Sequence, residues 1–128
     1  MANVVIVQVS PKKPGQMELL SDGVTARYTP LWRTLKGAKP GDIAVWYEAG
    51  GRAVFTAWGW VAGPSEYVSD GDFPGWQGPV VGIQWLPAEV DAHMVYEEIG
   101  VRGWHEGPTP VPRDKAIPFL RLVGILLR

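Results

Sequence analysis

One pattern in residues 39–61 constrains the fold more than any other part of the sequence. Pro40 and Gly41 predict a tight reversal, because proline fixes φ and glycine permits positive φ. Residues 43–47 then form an apolar run rich in β-branched and aromatic side chains, and a glycine-containing turn leads into a similar run at 54–61. We therefore predict a buried β-hairpin at the centre of the chain.

The segments on either side of this hairpin predict further strands and short helices. The run at 4–9 is β-branched without alternation, which is typical of a strand covered on both faces. Residues 11–24 are expected to form a loop, in which the apolar residues 17–20 could form one helical turn. The other predicted elements are a short helix at 30–37, an irregular loop at 63–79, a strand at 80–86 ended by Pro87, a short helix before Gly100, a loop at 103–112, a helical turn at 114–120 and a closing strand at 122–127.

Together these elements predict a fold that is mostly β with short α-helices. About five to six strands occur without regular alternation of strands and helices, which favours a small, mostly antiparallel β-barrel. A length of 128 residues suits one domain, and we expect residues 1–128 to form it.

Composition narrows the class of function. The formal net charge of -1 argues against a protein that binds phosphates indiscriminately, so a nucleic-acid role would need a local basic patch or base stacking. The chain has no cysteine, which excludes disulfides and thiolate sites. No apolar run is long enough for a membrane span. We expect a cytoplasmic monomer.

Catalytic patterns are absent from the sequence. His93 and His105 are the only histidines, and neither lies at a spacing typical of a metal site or a hydrolytic relay. No glycine-rich phosphate loop precedes a helix. We therefore expect a protein that is not an enzyme and has no metal or cofactor.

The aromatic and basic residues indicate a binding function more strongly than the histidines indicate catalysis. Strand-borne tryptophans can fill a barrel core, whereas the loop residues Trp76 and Trp104 are more suggestive of a ligand site or of a protein interface. Many basic residues fall in the first 40 positions, where they could form a rim that holds a phosphodiester or a solvated surface. The predicted rim consists of Lys12, Lys13, Arg27, Arg33 and Lys36, with Lys39 nearby.

Four segments carry a family resemblance: Val9-Ser10-Pro11, Asp22-Gly23-Val24, residues 39–47 and residues 56–64. Their order and spacing resemble the PUA-like superfamily and, within it, the EVE domain, which is related to the YTH domains that bind methylated bases. The resemblance implies a small EVE-type β-barrel. It also implies a non-enzymatic module that binds a modified nucleobase of RNA or DNA, or a similar planar ligand, between aromatic side chains.

The chain departs from the family pattern at two places. Ser21 stands where these domains usually have a tryptophan before Asp-Gly-Val, and Glu48-Ala49 stands where they have His-Ser. Trp32 or Trp46 could replace the missing ring. The ligand-binding residues that the resemblance implies are Ser10, Ser21, Asp22, Tyr47 and Glu48, together with Trp32 and Trp46. The alternative is a protein-interaction domain that uses Trp76 and Trp104.

Overall fold

The structure, a computed structural model, describes residues 3–12, 15–25, 31–33, 37–50, 52–69, 75–100 and 108–125. These residues form seven strands and three short helices. The strands are β1 (Val4–Val9), β2 (Leu31–Arg33), β3 (Ile43–Glu48), β4 (Val54–Val61), β5 (Glu66–Val68), β6 (Gly75–Asp91) and β7 (Thr109–Val111). The helices are α1 (Gln16–Thr25), α2 (Ala92–Ile99) and α3 (Arg113–Leu122).

The strands form one sheet in the order β2-β6-β4-β3-β1-β7, with β5 paired to β6. Only β1 and β3 run parallel among these pairs, and the remaining neighbours are antiparallel. The sheet curls into a half-barrel. Shifts in register along β4 assist the curling, because a bulge bends the strand that carries it. The prediction of a mostly β fold with short helices is confirmed.

The central strands are buried on both faces, and each face packs against different helices. On the helix-pair face, strand residues such as Ile6, Val45 and Phe55 pack with α2 and α3. On the α1 face, residues such as Val7 and Trp46 pack with α1. Because neighbouring residues of a strand point to opposite faces, the unbroken apolar run of β1 supplies both cores.

The central hairpin has the predicted form. Gly41 has a φ of +92° and donates its N–H to Val61 O at 2.9 Å, which joins the turn to the end of β4. The Asp42 carboxylate accepts hydrogen bonds from the backbone N–H groups of Asn3 and Lys39, at 3.1 and 3.0 Å. These bonds fix the start of β3 beside the start of β1.

Two predictions for the N-terminal third are wrong. Much of the predicted loop at 11–24 is α1, whose Leu20 is fully buried on the α1 face. Packing of an apolar side chain thus outweighs the local turn-forming composition. The predicted helix at 30–37 contains β2 instead, which pairs with β6. Residues 30 and 34–36 lie outside the described residues.

The C-terminal half also differs from prediction. The predicted loop at 63–79 contains β5 and the start of β6, and Pro87 does not end β6, which continues to Asp91 through an irregular register. The predicted closing strand at 122–127 is wrong for its described residues, because α3 reaches Leu122 and a turn follows. β7 pairs with β1 at this edge instead. The helix before Gly100 and the helical turn at 114–120 are confirmed as α2 and α3.

Candidate functional site

The parallel strands β1 and β3 end side by side, and their ends hold several of the predicted site residues. Val9 is the register partner of Glu48, and Ala49 N donates to Val9 O at 2.8 Å. Ser10 follows β1 and is buried, and its N–H donates to the Gln16 side chain at 2.7 Å. Since Gln16 begins α1, this hydrogen bond ties the helix to the strand ends.

Glu48 is a buried carboxylate at this edge, with only 4% of the residue exposed. Its Oε2 lies 3.2 Å from Nη1 of Arg52, and the other guanidinium nitrogen of Arg52 contacts the exposed Glu89. The Arg52 side chain is itself half exposed. One guanidinium therefore compensates a buried and an exposed carboxylate, and the group of three retains a net negative charge.

Trp32 and Trp46 lie in contact in the α1-face core. Their ring centroids are 5.5 Å apart and their planes meet at 76°, so the edge of one ring packs on the face of the other. The residues are 5% and 0% exposed, and neither indole N–H has a hydrogen-bond partner among the described residues. An unpaired buried donor costs about 1–3 kcal/mol, so these two groups are unusual.

Tyr47 follows Trp46 in β3, but its ring points to the opposite face. It packs in the helix-pair core, 5.8 Å from the Phe55 ring centroid, and burial raises the pKa of its phenol. The pleat of the strand requires this separation. The structure therefore does not bring the Tyr47 ring into one pocket with Trp46 and Trp32.

Ser21 and Asp22 lie in the second half of α1, directly after the buried Leu20. Ser21 is half-buried and Asp22 is exposed. Both belong to α1, whose Leu20 packs in the same core as Trp46, so they lie on the same side of the sheet as Trp46.

The predicted basic rim is described in part. Lys12 is exposed, and its backbone N–H donates to Ser10 Oγ at 3.2 Å, which places this lysine at the strand ends. Lys39 precedes β3 and therefore lies at the opposite end of the sheet. Arg33 belongs to β2, where only the backbone is described. Lys13, Arg27 and Lys36 lie outside the described residues.

Two features of this region were missed by sequence reasoning: the ion pairs of Arg52 and the position of Trp85. In the ladder Trp46 pairs with Ala57, and Ala57 pairs with Trp85. All three therefore lie in one row on the α1 face, with the small alanine between two indoles. Trp85 is 45% exposed. The sequence contains the residues, but the bulged register that aligns them could not be read from it.

Cavities, metal ligands and membrane-spanning helices give further information about the described residues. Two cavities, of about 520 and 220 Å³, lie away from the tryptophan pair, one between α2 and α3 and the other beside Asp42 and β7. The described histidines and carboxylates include no group of three that could hold a metal ion. Among the helices described, none is long and apolar enough to cross a membrane.

Three solved structures share this architecture over nearly the whole chain. Protein Atu2648 from Agrobacterium tumefaciens is 16% identical, with a TM-score of 0.67 over 97% of this chain and 94% of that one. Rpa0253 from Rhodopseudomonas palustris is 12% identical, with a TM-score of 0.64 over 99% and 97%. Human THYN1 protein, solved in complex with 5-methylcytosine containing DNA, is 11% identical, with a TM-score of 0.67 over 95% and 98%.

These likenesses concern the fold. The chain shares the mostly β fold with short helices of these three structures, and the fold class predicted from its sequence is confirmed. No protein-family model matches the chain, and no curated protein is significantly similar to it in sequence.

Proposed function

We propose that this protein is a non-enzymatic module that binds a modified nucleobase carried by DNA or RNA. The observation that carries the proposal is the similarity of nearly the whole chain to THYN1, a structure determined with 5-methylcytosine containing DNA. A near-neutral net charge is compatible with such a module, because a flipped base is bound by shape, stacking and hydrogen bonds to its edge.

The proposed site is the edge of the α1 face where β1 and β3 end. Ser10 and Glu48 supply polar groups there, and α1 contributes Ser21 and Asp22 from above the sheet. Trp32 and Trp46 form the buried wall. Tyr47 supports the wall from the helix-pair face and is not part of the proposed contact surface.

We assign the contacts to phosphate groups to the basic residues of the N-terminal third. Lys12 is the described lysine at this edge, and the proposal includes Lys13, Arg27, Arg33 and Lys36 as further contacts to the nucleic-acid backbone. Such contacts strengthen binding without selecting a base. Selectivity for the modification is therefore assigned to the polar and aromatic residues of the proposed site, and affinity in part to the basic residues.

The proposal is tested by fluorescence anisotropy with labelled oligonucleotides. Duplex DNA, single-stranded DNA and RNA are each prepared with one 5-methylcytosine or with an unmodified cytosine at the same position. We expect tighter binding of the modified member in at least one matched pair. Equal affinities within every pair, or no binding to any oligonucleotide, would contradict the proposed function.

A protein-interaction function is the second candidate, and an aromatic pair with one exposed ring favours it. Tyr67 on β5 and Trp76 on β6 pack edge to face with centroids 5.7 Å apart, and Tyr67 is largely exposed. This candidate predicts that Tyr67→Ala removes binding to a protein partner and leaves oligonucleotide affinity unchanged. Trp104, the other predicted interface residue, lies outside the described residues.

A further inference from the structure

Two unpaired polar groups lie on neighbouring side chains in the core. Among the described side chains, three buried polar atoms lack a hydrogen-bond partner: Nε1 of Trp32, Nε1 of Trp46 and Oγ1 of Thr56. Trp32 contacts Trp46, so the two indole N–H groups belong to one pair of rings in the α1-face core. Buried polar groups are normally paired, so a cluster of unpaired ones indicates a place where a polar guest binds.

The geometry of the tryptophan pair excludes one mode of binding. A base held between two rings needs them nearly parallel and about 7 Å apart, twice the usual contact distance of stacked carbon atoms. Trp32 and Trp46 instead meet at 76° with centroids 5.5 Å apart. They are already in contact with each other, so a base cannot be stacked between them.

We propose that Trp32 and Trp46 recognise the ligand by donating hydrogen bonds from their indole N–H groups. This inference rests on the proposed function, because the ligand is taken to be the modified base. Indole is a donor only, so the edge of the base that enters must present acceptors. Ring nitrogens and carbonyl oxygens of nucleobases are such acceptors.

Glu48 adds a hydrogen-bond acceptor to the two indole donors. Glu48 is two residues beyond Trp46 in β3, and β3 pairs with β1 without a shift in register, so both side chains point to the α1 face. An ionised carboxylate only accepts, which suits an exocyclic amino group. The site thus offers two hydrogen-bond donors and one acceptor. It selects a base edge that presents two acceptors and one donor.

Burial has a consequence for the kinetics of binding. Both indole N–H groups are covered in the ligand-free chain, so the atoms that cover them must move before the base can accept a hydrogen bond. Association is therefore slower than docking on a preformed open pocket, as for other binding reactions that require a conformational change.

Trp→Phe substitutions test the inference, because phenylalanine retains an aromatic ring and removes the N–H. Trp32→Phe and Trp46→Phe are compared with Trp58→Phe, whose ring packs against the helix-pair core. The probe is the 5-methylcytosine oligonucleotide with the highest affinity for the wild-type chain. We expect each of the first two variants to bind about 3- to 10-fold more weakly, the usual effect of one lost hydrogen bond. The control variant should bind as the wild type does.

A second measurement uses the wild-type chain, so it tests the inference even if the Trp→Phe variants fold poorly. In two-dimensional ¹H–¹⁵N spectra of the wild-type chain, the oligonucleotide should shift the indole N–H resonances of Trp32 and Trp46 downfield. Unchanged resonances, or unchanged affinity in both folded variants, would overturn the inference while leaving the proposed function intact, provided that the wild type binds. No binding by the wild type would overturn both.

Discussion

Glu48 and Arg52 form an ion pair of 3.2 Å in which the carboxylate is buried and the guanidinium is half exposed. Removal of the arginine would leave a buried charge without its ionic partner. We expect Arg52→Ala to lower the free energy of unfolding by about 1–2 kcal/mol, a value reduced from that of fully buried pairs because solvent screens the arginine. Urea denaturation measures the change.

Two further variants isolate the cause of this effect. Glu89→Ala removes only the exposed carboxylate of the network and should change stability by less than about 0.5 kcal/mol. The double variant Glu48→Gln with Arg52→Ala should be more stable than Arg52→Ala alone, because the buried charge is gone. A double variant that is less stable than the single one would refute this interpretation.

Trp85 and Trp60 are a matched pair of exposed tryptophans on opposite faces of the sheet. Trp85 shares a row with Trp46 and Ala57, whereas Trp60 contacts Trp58, which packs toward the helix-pair core. We expect Trp85→Ala to weaken binding of the modified oligonucleotide by about 1–3 kcal/mol through lost stacking. Trp60→Ala should leave the affinity unchanged, and equal effects of the two variants in anisotropy titrations would count against the α1 face as the site.

Lys12 and Lys39 offer a second matched comparison, because they lie at opposite ends of the sheet. Lys12→Ala should weaken the binding of modified and unmodified oligonucleotides by the same factor. It should also reduce the slope of log affinity against log salt concentration by about 1. Lys39→Ala should have no effect. Loss of selectivity for the modification in Lys12→Ala would show that this lysine contacts the base.

Burial of Tyr47 predicts a dependence of stability on alkaline pH. Because burial raises the pKa of its phenol above the usual value of about 10, the unfolded chain loses this proton at a lower pH than the folded chain does. The stabilisation is fully present below pH ~10 and is lost as pH rises from there through the folded-state pKa. Tyr47→Phe should flatten this decline in urea unfolding experiments, and an unchanged slope would contradict the assignment.

The sequence predicts the parts of the fold that depend on local chemistry. Pro40 and Gly41 start the central hairpin as expected, and α2 begins after its cap Asp91 and ends at Gly100 in the left-handed conformation. By contrast, α1 is held by burial of Leu20 on a sheet that only the folded chain provides. Its local sequence indicated no more than one helical turn, at residues 17–20.

The sequence and its family resemblance nominate residues for the candidate site but do not predict their arrangement. The adjacent ends of β1 and β3, and hence the proximity of Ser10 and Glu48, follow from the family resemblance. The row that contains Trp85 depends on a register that shifts within β4 and β6, which no local pattern encodes. The unpaired indole N–H groups depend on tertiary packing and are visible only in three dimensions.

The central claim, that the α1 face binds the modified base, is tested most directly by hydrogen–deuterium exchange with and without the 5-methylcytosine oligonucleotide. The account predicts slower exchange in α1 and at the ends of β1 and β3, with α2 and α3 unchanged. Protection confined to α2 and α3 by an oligonucleotide that binds would contradict it.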